Sequence, residues 1–182
     1  FFLGGLAAGI LVLSGLLVLA RREDRYPMAA RFAPLLVPPA LGIGLLFLML
    51  DLSHVWYFWQ LMLTFEVTSP ISWGTWLLTA VMPLSIVYAF AVLPRTTYLN
   101  WVRVPMLLPL YDRVQPLVRP LGLALALLGA GVGVYTGVLL STLQARPMWN
   151  SNVLGALFLS SGLTAGTATS LLLAWSDGLQ SR

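Results

Sequence analysis

Cysteine and lysine are absent from the 182 residues, and histidine occurs once, as His54. Without cysteine there is no disulfide, no thiolate metal site and no iron–sulfur cluster held by this chain alone. One histidine cannot supply both axial ligands of a bis-histidine haem. The six scattered methionines give a His/Met haem little support. Without lysine, a retinal-type Schiff base is excluded. Charge is scarce too: 9% of residues are charged and 59% hydrophobic, where a soluble domain carries about 25% and about 45–50%. So few charges cannot cover a water-facing surface. With a mean hydropathy of +0.88, the solvent for most of the chain is lipid. An ordinary soluble enzyme, a disordered chain and a nucleic-acid-binding module do not fit.

What is present organises itself into spans. A helix needs about 20 apolar residues to cross about 30 Å of hydrocarbon. Five stretches qualify: 1–20, 33–52, 71–93, 121–142 and 153–175. None alternates with the period of two that marks a barrel strand. Helices are then the structure that satisfies the backbone in lipid, and the expected fold is an all-α integral membrane bundle in a single domain over 1–182. The run opening at Phe1 lacks the charged flank and cleavage site of a signal peptide. It reads as a helix joined part-way, so the chain is expected to be a piece of a longer protein.

All ten basic residues are arginine, giving a net charge of +4, and their placement reads as topology. Arg21, Arg22, Arg25 and Arg31 follow the first span; Arg95, Arg103, Arg113 and Arg119 follow the third; Arg182 follows the fifth. The alternate loops hold Arg146 alone. The positive-inside rule puts the first, third and last connections in the cytoplasm. The 52–70 and 143–152 loops then face the other side. They carry His54, Trp56, Tyr57, Trp59, Glu66, Ser69, Arg146, Trp149 and Asn150, with Trp73 just beyond. An interfacial aromatic belt accounts for some of these; a docking or ligand-binding face accounts for both loops having them. Between 94 and 120, Pro94, Pro105, Pro109, Pro116 and Pro120 rule out one continuous helix and predict a chain lying at the cytoplasmic interface.

Small residues predict how the spans pack. Gly129, Gly133 and Gly137 recur every four residues, Gly5 and Gly9 lie in span one, and Gly162 and Gly166 in span five. Such stripes let helix backbones approach closely. Tyr135 falls on the opposite side of its helix from the stripe, toward another neighbour. It lies seven residues before Thr142, about 10 Å along the axis at about 1.5 Å per residue. Gly131, one turn earlier, is expected to leave space beside the ring. Asp51 ends span two after an unbroken apolar run. Ionisable groups in such positions are functional candidates. A carboxylate reaching headgroups or capping a helix also accounts for Asp51, and a hydrogen bond to a backbone carbonyl also accounts for Tyr135.

Two blocks carry a resemblance. One runs from Asp51-Leu52-Ser53-His54 to Thr68-Ser69-Pro70-Ile71-Ser72-Trp73-Gly74-Thr75-Trp76. The other runs from Tyr135-Thr136-Gly137 to Arg146-Pro147-Met148-Trp149-Asn150. With the opening Phe2-Leu3-Gly4-Gly5-Leu6-Ala7-Ala8-Gly9, they resemble the NrfD/PsrC family, the membrane subunit of polysulfide reductase and related respiratory molybdoenzymes. Order and spacing match along nearly the whole chain. The Thr-Ser-Pro-x-Ser-Trp-Gly and Arg-Pro-x-Trp-Asn blocks are rather specific; the glycine-rich opening is not.

The resemblance implies five spans of an eight-or-more-helix fold in a bacterial or archaeal inner membrane. It implies a subunit that binds menaquinone or ubiquinone and carries no haem, metal or cluster of its own. Its partners would be an iron–sulfur protein and, through it, a molybdopterin catalytic subunit. The family's quinone-binding tyrosine matches Tyr135; beside it, from their type and their place at one face, His54, Trp149 and Asn150 are expected to hold the quinone, Asp51 and Glu66 to exchange protons, and Ser69, Trp73 and Arg146 to dock the partner. Further ligands of the family's first helix fall before Phe1. Many members follow the aspartate with Leu-Gly-Arg-Pro; here His54 stands at the arginine's position. The residues agree on one point independently: a redox protein without cysteine needs a mobile organic carrier and a partner. A quinol-oxidising subunit of an alternative complex III-type assembly, a structural anchor and a solute transporter are the competing readings. A transporter would want broken helices and polar groups near the midplane, and spans one and two have few.

Overall fold

The computed structural model describes residues 2–50, 69–94, 108–141 and 153–180. Every regular element among them is helical. Helix α1 spans Phe2–Leu19, α2 Val37–Leu50, α3 Pro70–Val92, α4 Leu108–Val114, α5 Val118–Ser141 and α6 Leu154–Gln180. Five helical stretches are long and apolar enough to cross a membrane: Phe2–Leu19, Met28–Leu50, Ser72–Val92, Pro109–Ser141 and Leu154–Ser176.

Three of the boundaries that differ from the sequence expectation do so for a local reason. The second span starts early, through a π-helical turn at Met28–Phe32 and a 3-10 turn at Ala33–Leu36. The fourth starts at Val118 rather than 121, because Pro120 falls in the first turn of α5, where a proline's missing N–H costs nothing. The proline-rich segment is helical from Leu108, broken by a 3-10 turn at Gln115–Leu117 around Pro116. Proline there interrupts the helix rather than abolishing it.

Helix α1 stops on a left-handed residue. Arg21 has φ 54°, the N–H of Arg22 donates to the carbonyl of Leu17 at 2.9 Å, and that of Arg21 to Val18 at 3.2 Å. This is the Schellman arrangement, usually made by glycine. The end of α3 is closed differently. Pro94 prevents continuation, and side chains from the following segment take up the orphan carbonyls. The Tyr111 hydroxyl donates to the Leu93 carbonyl at 2.9 Å, and Gln115 Nε2 donates to Ala91 at 2.7 Å.

In lipid there is little hydrophobic drive between helices, so close packing of small residues holds the bundle. A methyl group on Gly9 would collide with the Gly162 carbonyl, and one on Gly166 would lie 2.5 Å from the Gly9 carbonyl carbon. Helices α1 and α6 therefore run parallel with their backbones touching. Helix α5 runs antiparallel to both. Gly129 abuts Ala8 and Leu11, Gly15 abuts Gly122, and Gly137 abuts Leu154. The glycine stripes thus do what their spacing predicts. Ile10 and Leu11 of α1 and Leu125 of α5 form one core cluster with Val81 and Tyr88 of α3, all essentially without solvent exposure.

The antiparallel register fixes two ends. Ser14 of α1, Ala30 of the π turn and Tyr88 of α3 meet near one end. All six described arginines (Arg21, Arg22, Arg25, Arg31, Arg113 and Arg119) lie in or beside the connections at that end. The opposite end holds the start of α3, the end of α5 and the start of α6.

Candidate functional site

Helix α3 begins at this second end. Ser69 is its N-cap, with φ −95° and ψ 116° and no side-chain cap. Its carbonyl accepts the N–H groups of Ser72 at 3.1 Å and Trp73 at 3.4 Å. Pro70 occupies the first turn, where its fixed φ suits a helix start. Ser72 is buried, whereas Trp73 and Trp76 stand 53% and 49% exposed. Between the two indoles in sequence, Gly74 is buried.

Tyr135 comes from α5, six residues before its end at Ser141, roughly 9 Å along the axis at about 1.5 Å per residue. The tip of its ring lies against α3: a Cβ on Gly74 would occupy the space of Tyr135 Cζ, Oη and Cε1. The ring therefore faces away from the α1–α6 side of its helix, as its position relative to the glycine stripe predicts. The space beside Gly131 admits a methyl group and little more. Leu77 Cδ1 lies 3.4 Å from where a Cβ on Gly131 would stand, so Leu77 fills the seam one turn below the ring.

Hydrogen bonding separates Tyr135 from the other described tyrosines in the helices. Tyr88 pairs with Ser14 Oγ at 2.9 Å and Tyr111 with the Leu93 carbonyl. Among the described residues the Tyr135 hydroxyl has no hydrogen-bond partner, and the residue is half-buried. The alternative of a tyrosine tied to a nearby backbone carbonyl is thus not what this side chain does. A phenol donates one hydrogen bond and accepts others; here both capacities are unused among the described residues, in the half of the bundle remote from the arginines. Buried hydroxyls on the same helices satisfy themselves locally: Thr136 Oγ1 donates to Val132 at 2.8 Å and Ser170 Oγ to Gly166 at 2.9 Å.

Of the sequence-derived site residues, Tyr135, Ser69 and Trp73 are described, and all three lie at this end. Asp51, His54, Glu66, Arg146, Trp149 and Asn150 lie outside the described residues. Among the described residues no three His, Asp or Glu side chains gather. Two features escaped the sequence reading. Gly74 was visible only as part of the Ser-Trp-Gly block, although a glycine inside an apolar helix is itself a sign of close approach. The Ser14–Tyr88 pair was visible only as two polar interruptions of apolar runs, far apart in sequence.

Comparison with known proteins adds a separate line of observation. The family model described as polysulphide reductase, NrfD matches residues 1–179. The polysulfide reductase C chain of Wolinella succinogenes is 30% identical over 174 residues, covering 94% of this chain and 55% of that protein. Protein NrfD of Escherichia coli is 31% identical over 182 residues, covering 94% of this chain and 56% of its own length. A protein NrfD homolog of Haemophilus influenzae is 33% identical over 135 residues, covering 72% and 42% respectively. The chain thus spans about half the length of the curated relatives it matches. No solved structure matches it. An all-helical bundle with five membrane-length helices and a family match over nearly its whole length lead to one assignment: this chain is a multi-pass membrane protein of the NrfD family.

Proposed function

We propose that the chain is the quinone-reactive part of a membrane subunit that passes electrons between the quinone pool and an iron–sulfur partner of a respiratory oxidoreductase. The observation that carries this reading is the Tyr135 hydroxyl: half-buried, within a membrane-length helix, and unpartnered among the described residues. The names of its relatives, a polysulfide reductase subunit and NrfD, point the same way. A bound quinone supplies two-electron, two-proton chemistry. Its carbonyls accept hydrogen bonds and its reduced hydroxyls donate them, so a phenol able to do both can serve either form.

In this reading Tyr135 orients the head group of menaquinone or ubiquinone while the isoprenoid tail remains in hydrocarbon. His54, Trp149 and Asn150 complete the binding site, and Asp51 and Glu66 exchange protons with the adjacent aqueous phase. Ser69, Trp73 and Arg146 form the docking face for the iron–sulfur protein, which connects to a molybdopterin subunit. The arginine-free end of the described bundle then faces away from the cytoplasm of a bacterial or archaeal cell. Residues 1–182 form one helical domain of a longer subunit. A quinol-oxidising role in an alternative complex III-type assembly would use the same site in a different complex.

The test is Tyr135→Phe in the assembled complex. One buried hydrogen bond is worth about 0.5–1.5 kcal/mol net. Quinone affinity should fall several-fold while the complex still assembles, with turnover falling at least as far. Wild-type affinity and turnover would remove Tyr135 from the site and leave the structural-anchor reading.

A further inference from the structure

Gly74 is a costly residue for its place. Glycine is about 1 kcal/mol less favourable than alanine within a helix, yet it stands in the second turn of α3, beside two large indoles. The reason lies across the α3–α5 seam. The volume a Cβ would need at 74 is taken by the tip of the Tyr135 ring, its Cζ, Oη and Cε1. These atoms belong to the far end of a side chain, not to backbone. A methyl group at 74 can therefore be accommodated by swinging the ring, without separating the helices. The swing must exceed roughly 1 Å to restore van der Waals contact, whereas positioned functional groups tolerate about 0.5 Å. One turn below, Leu77 leaves room for little more than a methyl group beside Gly131, so the ring has little room to drop.

We propose that Gly74 is a positioning residue, the floor against which the Tyr135 hydroxyl is set for the quinone head group. This rests on the quinone reading of Tyr135 above and goes beyond it by making the hydroxyl's placement a property of α3. The fold does not need Gly74; the site does. Alanine at 74 leaves the bundle assembled, moves the hydroxyl, and produces the binding defect of a missing hydroxyl while the tyrosine is still present.

The experiment titrates the full assembled complex with decylubiquinone and menadione, following quenching of tryptophan fluorescence, and measures its thermal midpoint alongside. The variants are Gly74→Ala, Tyr135→Phe, Tyr135→Leu, Gly74→Ala with Tyr135→Leu, and Gly131→Ala as a control on the same seam. Gly74→Ala should weaken binding by about two- to ten-fold, the range of one hydrogen bond. In the Tyr135→Leu background, where no ring tip meets the new methyl, the same change should alter affinity by less than about two-fold. Gly131→Ala, which meets Leu77 at ordinary contact distance, should bind as wild type. Equal losses from Gly74→Ala in both backgrounds, or no loss in the native one, would overturn the positioning role. Wild-type affinity in both Tyr135→Phe and Tyr135→Leu would instead overturn the quinone reading itself. If Gly74→Ala fails to assemble, recovery in the Tyr135→Leu background upholds the contact, and no recovery overturns it.

Discussion

Adding one methyl group at Gly9 should destabilise the bundle, while adding one at Gly4, five residues before it, should not. On Gly9 the new Cβ would collide with the Gly162 carbonyl oxygen, stand 2.5 Å from the carbonyl carbon and 3.1 Å from the Leu163 nitrogen. All three are backbone atoms, so no side chain can rotate away. Helix α6 must retreat from α1 by roughly 1 Å, loosening the neighbouring Gly5–Gly162 and Gly9–Gly166 approaches as well. Overpacking costs about 1–3 kcal/mol, and backbone meeting backbone belongs in the upper part of that range, about 2–3 kcal/mol, against a gain of about 1 kcal/mol from replacing a helical glycine by alanine. The net loss for Gly9→Ala is about 1–2 kcal/mol. A Cβ on Gly4 meets nothing within 4 Å, so Gly4→Ala keeps the propensity gain alone. At about 2–4 °C per kcal/mol for a domain of this size, the two variants should melt on opposite sides of wild type, several degrees apart. Thermal unfolding of the full-length protein in detergent, followed by tryptophan fluorescence, measures this. A Gly9→Ala melting point at or above that of Gly4→Ala would refute the account of the α1–α6 contact as backbone against backbone.

Ser14→Ala should cost more than Tyr88→Phe, although both delete one hydroxyl. Ser14 donates to the Ala30 carbonyl at 2.7 Å and pairs with Tyr88 at 2.9 Å, so its loss strands two buried groups at about 1–3 kcal/mol each. Loss of the Tyr88 hydroxyl leaves Ser14 still bonded to Ala30, for about 0.5–1.5 kcal/mol; the same melting assay orders them, and a reversed order would mean Ala30 has another donor. Asp51→Asn should slow quinone turnover in the assembled complex more than it lowers assembly, and unchanged turnover would return Asp51 to a capping or headgroup role. Single cysteines placed in 52–70 or 143–152 should label with an impermeant thiol reagent in whole cells, the chain having none of its own. Labelling beside Arg22 or Arg113 instead would invert the topology.

Much of this bundle was readable before any coordinate, because lipid removes options. With 9% charged residues the backbone must satisfy itself, and only helices do so over segments of this composition. Four-residue glycine spacing then names the faces that touch, since only a residue without a side chain permits backbone contact. The arginines mark one end for an equally simple reason, that charge cannot be left in hydrocarbon. Helix ends were less legible: prolines at 116 and 120 mark a disturbance, but whether a proline ends a helix or begins one depends on which carbonyls lie behind it. Ala30 shows the same dependence. Pro34 has no N–H to offer it, and the donor that replaces it is Ser14, sixteen residues away on another helix. Likewise, sequence could place Tyr135 on the face away from the glycine stripe but not say whether its hydroxyl was bonded. That was decided by which residue of α3 comes opposite it, and the register brings Gly74, which offers room for the ring and no side-chain partner for the hydroxyl. Periodicity along one helix sets direction; only the packing of two helices sets what a side chain meets there.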